Sequence, residues 1–356
     1  MAYGTGTYTD ILHHIIYSDS SRKTDCKEEI MKITMAHGSG GKSSAQLMSD
    51  IFGKHFKNQV LDRMEDAAVL EVSGRIACST DSFVVTPLVF RGGDIGKLCV
   101  CGTVNDLLMM GAVPKYLTCG FILEEGLDTE LLDGIVESMA AQAREAGVII
   151  VAGDTKVVEG SGGLYINTTG IGEIPDGRDV SSRNCRPGDV VILSGNLGDH
   201  HACILSHRME IENEIQSDCA ALNDIVDALF AEKIDVRTMR DVTRGGLGTV
   251  LNEIAESSSC MVELEEESIP VHDDVRGFAD ILGLDPLYMG NEGKMIAVVP
   301  AEDAQKALEA MRNTEHGRDA AIIGTIKEGE GTYLKTRLGA TRRFDVLYGE
   351  GLPRIC

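Results

Sequence analysis

The sequence predicts a two-domain protein of the α/β or α+β class. In its first half, the strand-like segment "YLTCGFIL" (116–123), a helical pattern at 129–146 and the apolar run "VIIVAG" (148–153) follow one another directly. This is the order of a β-α-β crossover. Residues 173–189 are rich in charge and turn formers and lack periodicity, so they predict a boundary. Beyond them strands and helices alternate again, and 356 residues favour two domains over one.

The predicted domain limits are an N-terminal extension that we expect to be mobile, two folded domains and a mobile C-terminal tail: 1–32, 33–175, 186–345 and 346–356. The second domain begins with the strand "VVILSG". Its predicted helices lie at about 217–231, 244–257, 272–282 and 301–312, and its further strands near 294–299, 320–326, 331–336 and 342–348.

Two helices of the first domain are predicted from apolar periodicity. The helix at 129–146 has Asp128 as its N-cap and Gly147 where a C-terminal cap belongs. A strand, "LYINTTGIG", ends near Gly172. An earlier helix at 43–56 places one set of residues on a single face: Leu47, Met48, Ile51, Phe52 and His55.

Composition excludes several classes of function. A formal charge of −23 disfavours nucleic acid and anionic membranes as partners. No apolar run reaches the roughly 18 residues of a membrane helix, and the N-terminus lacks a signal peptide, so we expect a cytoplasmic protein. The ten cysteines are then expected to be mostly reduced. The closest pair, Cys99 and Cys101, has no partner pair at zinc-ligand spacing, which favours buried thiols.

Carboxylates beside small or apolar residues are the main candidates for chemistry. Each alone is compatible with a turn or a helix cap. Together they predict more, because an aspartate is costly to bury without a partner or a metal, and oxygen ligands on several loops suit Mg²⁺ held on phosphates. The candidates are Glu65 and Asp66 in "MEDAAVL", Asp81 in "CSTDSFVV", Asn105 and Asp106 in "GTVNDLLMMGA", and Asp154 with Lys156 in "VAGDTKVVEG", just past the buried strand.

Glycine loops and two further residues complete the candidate set. "HGSGGKS" (37–43), "SGNLGDHH" (194–201) and "DVTRGGLG" (241–248) each lead into a helix, as anion-binding loops do, although the first lacks Walker A spacing. Glu292 in "GNEGKM" is either a base with access to substrate or part of a solvated turn. Cys356 ends the sequence after proline and arginine, where a thiol could act as a mobile carrier.

The motifs "AHGSGGK", "TDSFVV", "GGDIGKLCVCGTVNDLLMMGA", "CGFILEEGL", "AGDTKVVEG", "RPGDVVILSGNLGDH", "DVTRGGLG", "NEGK" and "PRIC" occur in this order from about residue 33 to 356. They resemble the HypE family of hydrogenase maturation proteins, within the PurM-like superfamily of aminoimidazole ribonucleotide synthetase. Most of them are shared loosely across that superfamily, whereas "PRIC" is specific to HypE.

The resemblance implies a PurM-like fold whose N-terminal domains pair in a homodimer through a shared β-barrel, with ATP and Mg²⁺ in the cleft that they frame. It implies that a carbamoyltransferase, HypF, loads a carbamoyl group onto Cys356. ATP-dependent dehydration would then give a thiocyanate, and the cyanide would pass to iron on the HypC–HypD complex for NiFe-hydrogenase. No nucleic acid or membrane partner is implied.

The resemblance also implies roles for individual residues. Glu292 and Lys156 match the proton-transfer residues, with Cys356 as the third catalytic residue. The nucleotide and metal residues would be Asp66, Asp81, Asn105, Asp106, Gly153, Asp154 and Thr155, of which Asp66, Asp106 and Asp154 would bind the metal.

Some features depart from the family pattern or leave alternatives open. Residues 1–31 have no counterpart in it, and Glu65 stands where relatives often have aspartate. His37 is either a catalytic group or a residue that orders its loop. The rival functions are a superfamily kinase or synthetase acting on a free small molecule, and a scaffold whose tail cysteine binds metal or forms a mixed disulfide.

Overall fold

The computed structural model describes residues 31–38, 41–63 and 67–346. The predicted extension up to residue 30, the Glu65–Asp66 motif and the tail that carries Cys356 lie outside the described residues. Within the described ranges, no helix is both long and apolar enough to cross a bilayer.

The first half of the chain contains four helices and six strands within these ranges, with a π-helical turn at Met48–Gly53 and a 3-10 turn at Leu61–Arg63. The elements are α1 (Met35–Gly38), α2 (Gly41–Leu47), β1 (Arg75–Phe83), β2 (Val89–Phe90), β3 (Gly93–Asp94), α3 (Ile95–Met109), β4 (Val113–Glu124), α4 (Thr129–Glu145), β5 (Ile149–Val158) and β6 (Leu164–Ile174).

The main sheet of this half has the strand order β1-β6-β4-β5. The strands β4 and β5 are parallel, as the crossover through α4 predicts, and the other pairs are antiparallel. Alternate residues of β4, such as Leu117 and Phe121, are buried, on the face that α3 and α4 cover. The opposite face, which we call the open face, exposes about half of Ile76 and Ile122. Among the described residues this sheet is open and does not close into a barrel.

The second half follows with five helices and seven strands in the described part of the chain, and with 3-10 turns at Ser182–Asn184, Glu266–Ser268 and Pro286–Tyr288. The elements are β7 (Val190–Leu193), α5 (Asp199–Arg208), α6 (Asn223–Ala231), β8 (Thr238–Asp241), α7 (Gly246–Ser258), β9 (Met261–Glu265), α8 (Asp273–Leu282), β10 (Met295–Val299), α9 (Ala304–Arg312), β11 (Ala321–Lys327), β12 (Gly331–Lys335) and β13 (Thr341–Arg343).

These strands form one sheet in the order β13-β12-β9-β11-β7-β10-β8. Only the β12–β9 pair is parallel. The edge strand β8 contacts α3 of the first half, and one hydrophobic core runs from α3 residues such as Leu98 and Val104 to Ile192 and Met239 of the second sheet. Apolar packing on both sides of α3 therefore fixes the two sheets relative to each other.

Several predicted elements differ from the structure. The pattern at 43–56 forms α2 and a π-helical turn, in which Met48 is 36% exposed. The helix predicted at 217–231 begins only at Asn223. Strand β5 continues to Val158 because it pairs with β4 along its whole length. Asp154 and Lys156 therefore lie inside a strand, and placing them just past it was wrong.

Candidate functional site

A cavity of ≈ 290 Å³ lies between the two halves and is called here the interdomain cavity. Residues of β1, α3, the end of β8 and the loop before β10 line it: Thr80, Asp81, Ser82, Phe83, Gly102, Asp106, Asp241, Thr243, Arg244 and Glu292. Gly102 permits the close approach of α3 and β1, since a Cβ atom there would lie 2.9 Å from the Phe83 ring. The cavity therefore gathers polar groups from both sheets.

Three carboxylates converge in the interdomain cavity from separate elements. Asp81 lies on β1, Asp106 on α3 and Asp241 at the end of β8. Burial, with a further contribution from the charges of Asp106 and Asp81, raises the pKa of Asp241 to about 7 against the opposing effect of Arg240. Burial, and then the charge of Asp81, also raises the pKa of Asp106. The carboxylates are thus held together against their mutual repulsion.

Local hydrogen bonds orient two of these carboxylates. Ser79 Oγ donates to Asp106 Oδ2 at 2.5 Å, and the backbone N–H of Ser82 donates to Asp81 Oδ1 at 2.9 Å. Arg240 offsets the charge of this group only in part, because its Nη2 also pairs with Glu253 Oε2 on α7 at 2.5 Å. Negative charge therefore remains for a cation to offset.

This donor set fits Mg²⁺, which prefers carboxylate, phosphate and water oxygens. Among the described residues, no group of three or more His, Cys, Asp or Glu side chains has the geometry of a formed metal site. Phosphate or water oxygens must therefore complete the coordination of a cation held here, as is usual for Mg²⁺.

Glu292 enters the interdomain cavity from the loop before β10. It is 5% exposed, so it does not lie in a solvated turn. Its backbone N–H donates to Asp218 Oδ1 at 3.0 Å, and Asp218 Oδ2 lies 3.3 Å from Lys294 Nζ. The preceding Asn291 donates to the Val242 carbonyl at 2.8 Å. The loop is thus fixed on both sides of the carboxylate.

Asp154 and Lys156 lie on the open face of the first sheet, and Asp81 faces α3 on the other side. Lys156 Nζ pairs with Asp154 Oδ2 at 2.5 Å, with the two side chains 65% and 69% exposed. The pKa of Asp154 is lowered, chiefly because Lys156 donates this hydrogen bond. The structure therefore does not bring Asp154 together with Asp106.

A second cavity of ≈ 380 Å³ lies on the open face and is called here the sheet groove. It is lined by Ser82, Phe83, Val84, Gly120, Phe121, Ile122, Asp154, Lys156, Tyr165, Ile166 and Asn167. Ser82 and Phe83, at the end of β1, line both cavities. An extended ligand can therefore run from the interdomain cavity past the end of β1 into the sheet groove.

The other candidate nucleotide residues have structural contacts. A Cβ at Gly153 would lie 2.8 Å from the Cys119 carbonyl, so this strand position requires glycine. The backbone N–H of Thr155 donates to Asp154 Oδ1 at 2.8 Å. Asn105 is 2% exposed, and both ends of its amide bond to backbone across the domains. Their contact with a nucleotide stays a prediction.

The three predicted glycine loops play different structural roles. In the first, His37 Nδ1 accepts a hydrogen bond from the Thr34 N–H at 3.0 Å, so this histidine orders its turn. The loop at 194–201 begins α5, with His200 and His201 buried. The loop at 241–248 contributes Asp241 to the interdomain cavity. Sequence reasoning missed this residue, although a carboxylate at a strand end before glycines was the available signal.

Comparison with known proteins identifies the family. Profiles of the AIR synthase related protein family match at residues 64–174 for its N-terminal domain and at 186–337 for its C-terminal domain. The carbamoyl dehydratase HypE of Azotobacter vinelandii is 51% identical over 331 residues, covering 91% of this chain and 97% of that protein. The chain belongs to the HypE family.

Solved HypE structures share the fold. A crystal structure of the hydrogenase maturation protein HypE in complex with ATP is 47% identical, with a TM-score of 0.87 over 90% of this chain and 99% of that one. A HypE–HypF complex is 45% identical, with a TM-score of 0.75 over 85% and 99%. The fold of this HypE-family chain is therefore two-domain and PurM-like.

Replacing Asp241 by Asn should raise the stability of the metal-free protein more at pH 8 than at pH 5. The pKa of Asp241 is about 7 in the folded protein, against an ordinary 3.8. Between these values the folded state retains a proton that the unfolded chain releases, so wild-type stability falls as pH rises. Thermal unfolding in EDTA at both pH values measures the difference in Tm between variant and wild type.

Added Mg²⁺ provides the control for this prediction. At pH 8 it should raise the Tm of the wild type more than that of Asp241→Asn, because the ionised carboxylate then has a cation to bind. A difference in Tm between the two proteins that is equal at pH 5 and pH 8 would contradict the placement of Asp241 among like charges.

Proposed function

We propose that this HypE-family chain uses ATP to dehydrate an S-carbamoyl group on Cys356 to a thiocyanate, which supplies the cyanide ligand of iron in NiFe-hydrogenase maturation. The carbamoyl dehydratase relatives and the ATP-bound HypE structure support this. The structural observation that carries the proposal is the convergence of Asp81, Asp106, Asp241 and Glu292 in one cavity between the domains.

The nucleotide is proposed to bind across both cavities, with its phosphates in the interdomain cavity. Asp81, Asp106 and Asp241 would hold Mg²⁺ there, and when bound this ion neutralises phosphate charge. Asp66 of the preceding motif is proposed to join them. From its phosphates the nucleotide is proposed to continue past Ser82 and Phe83 into the sheet groove, beside Asp154 and Lys156. Gly153 and Thr155 are retained as proposed nucleotide residues, whereas Asn105, predicted as a third, is proposed to act through the backbone of Ala220 and Leu222 that it holds.

The reaction requires an oxygen to leave an amide carbon. The carbonyl oxygen of –S–CO–NH₂ bonds to the γ-phosphorus of ATP, and ADP leaves. Loss of both nitrogen protons and departure of that oxygen as inorganic phosphate then leave –S–C≡N. Glu292 is proposed to accept a proton from nitrogen. Lys156 is proposed to serve the other transfer from the sheet groove, so the carbamoyl group is proposed to lie at the end of β1, where Ser82 and Phe83 line both cavities.

A tail of ten residues is long enough for the proposed carrier thiol to span the distance to the cavity. The described chain ends beside α7, where Asn252 donates to the Phe344 carbonyl at 2.7 Å. Helix α7 starts at Gly246, two residues after the cavity residue Arg244. Six helical residues rise about 9 Å, whereas the ten residues 347–356 span up to about 33–36 Å when extended.

Partners are proposed on the same grounds. The solved HypE–HypF complex supports HypF as the carbamoyl donor, and the HypC–HypD complex is proposed as the acceptor of cyanide. A homodimer would pair the open faces of two first sheets into a barrel beside the sheet groove, covering the half-exposed Ile76. The domain limits 33–175 and 186–345 are kept as part of this proposal, as is a cytoplasmic location.

Cys356→Ala should abolish ATP turnover that depends on carbamoylation, while the protein stays folded. Intact mass after incubation with carbamoyl phosphate, HypF and ATP should show one carbamoyl group added to the wild type, followed by loss of one water. The exposed Cys78 provides the matched control, so Cys78→Ala should behave as wild type. Undiminished ATP consumption by Cys356→Ala would favour a kinase or synthetase acting on a free small molecule.

Glu292→Gln and Lys156→Gln should each lower the rate of dehydration by roughly 10²–10⁴-fold, the range of general acid–base catalysis. Both should still bind ATP and accept the carbamoyl group, so carbamoylated protein should accumulate in the mass spectrum. Lys335→Gln is the control, because Lys335 also pairs with a carboxylate, Glu265, but lies far along the chain on β12. Dehydration at the wild-type rate by either variant rejects the role of that residue.

Ile76→Glu should convert a dimer into a monomer, because it buries a charge where two open faces would meet. Sedimentation velocity measures the mass of both proteins. Ile281→Glu is the control, since Ile281 is 84% exposed on α8 of the second domain and should leave the dimer intact. A monomeric wild type, or a dimeric Ile76→Glu, would reject pairing through the open face.

A further inference from the structure

We propose that Asn105 and Asp218 are positioning residues, which together hold Glu292 at a fixed place relative to the carboxylates of the interdomain cavity. The inference rests on the proposed function, because it concerns the use of Glu292 in dehydration. It follows from contacts that connect the first domain to the Glu292 loop through residues 218–222.

The first contact is made by Asn105 across the domain boundary. Its Nδ2 donates to the Ala220 carbonyl at 2.9 Å, and its Oδ1 accepts from the Leu222 N–H at 2.9 Å. Both bonds are buried, so losing one would leave a backbone group without water or a partner. This pairing explains why the residues directly before Asn223 form no helix.

The second contact is made by Asp218 and its neighbours with the Glu292 loop. Asp218 Oδ1 accepts from the Glu292 N–H, and Oδ2 pairs with Lys294, so one side chain contacts the loop on both sides of Gly293. The Ala220 N–H donates to the Glu292 carbonyl at 3.4 Å. A Cβ at Gly293 would lie 1.9 Å from the Asp218 carbonyl, so the two segments are packed backbone to backbone.

The third step follows from the position of Asn105 in α3. The next residue, Asp106, lines the interdomain cavity, so one helix carries both a cavity carboxylate and the side chain that holds residues 220–222. An α-helix is rigid over one residue. The distance between Asp106 and Glu292 is therefore set by a short chain of buried hydrogen bonds, and a displacement of about 1 Å at a reacting group can cost about 10²-fold in rate.

A merely structural role for Asn105 would predict general weakening of the domain interface. Arg178 provides a comparison, because its Nη1 donates to the Gly111 carbonyl at 2.9 Å and its guanidinium lies 3.8 Å above the Phe230 ring of α6. It also bridges the two halves but contacts neither residues 218–222 nor the interdomain cavity. Arg178→Ala is therefore the matched control for Asn105→Ala.

The experiment compares Asn105→Ala, Asp218→Asn, Arg178→Ala and Glu292→Gln in the full chain, carbamoylated by HypF. Three quantities are measured: kcat for dehydration, Kd for ATP, and hydrogen–deuterium exchange of the peptide that contains Glu292. We expect Asn105→Ala and Asp218→Asn to lower kcat at least tenfold, to change the Kd for ATP less than threefold, and to speed exchange of that peptide. Arg178→Ala should lower Tm but keep kcat within twofold.

Three results would overturn the inference. One is an unchanged kcat and unchanged exchange in Asp218→Asn. This variant alone tests the inference should Asn105→Ala fail to fold. Another is an equal loss of kcat in Arg178→Ala. The third is weaker ATP binding by Asn105→Ala, which would indicate nucleotide contact instead. A fully active Glu292→Gln would reject the proposed catalytic role of Glu292, while the exchange data would still show whether the contacts hold its loop.

Discussion

The candidate site depends on carboxylates of like charge that the two domains hold close together. Asp81 and Asp106 from the first sheet and its helix meet Asp241 from the edge of the second sheet, and the raised pKa values of Asp106 and Asp241 record their repulsion and burial. Apolar packing around α3 must offset this repulsion in the free protein, and a bound dication converts it into attraction.

The first sheet divides the candidate site into two parts. Its helix-covered face contributes Asp81 to the interdomain cavity, whereas its open face presents Asp154 and Lys156. Among the described lining residues, those at the end of β1 connect the two cavities, because Ser82 and Phe83 line both. A ligand confined to one cavity would contact only part of the candidate set, so the geometry favours a long ligand with phosphates at one end. A nucleoside triphosphate has this shape, and the carboxylate-bound cation would neutralise the charge of its phosphates.

Local signals were sufficient to predict elements whose burial is local. The helix at 129–146 was predicted because its apolar residues recur at helical spacing, and the structure confirms its Asp128 cap. Residues 217–222 were mispredicted as helix because Asn105, more than 100 positions away in the sequence, bonds to the backbone of Ala220 and Leu222. Asp154 was placed after its strand because the pairing of β5 with β4 is tertiary. Asp241 was missed because its short edge strand carries little periodicity.

A tethered substrate changes what the cavity must do. A flexible ten-residue linker has a root-mean-square span of roughly 17 Å, so a group tethered through such a linker would be present at an effective concentration of about millimolar. The cavity then needs little affinity for the small carbamoyl group, which offers few atoms to bind. Its contacts can instead favour the phosphorylated transition state, which is where differential binding accelerates a reaction. A formal charge of −23 repels anionic ligands from solution. With a tethered substrate, only the nucleotide must be bound from solution, and it arrives with its cation at the cavity that the carboxylates line.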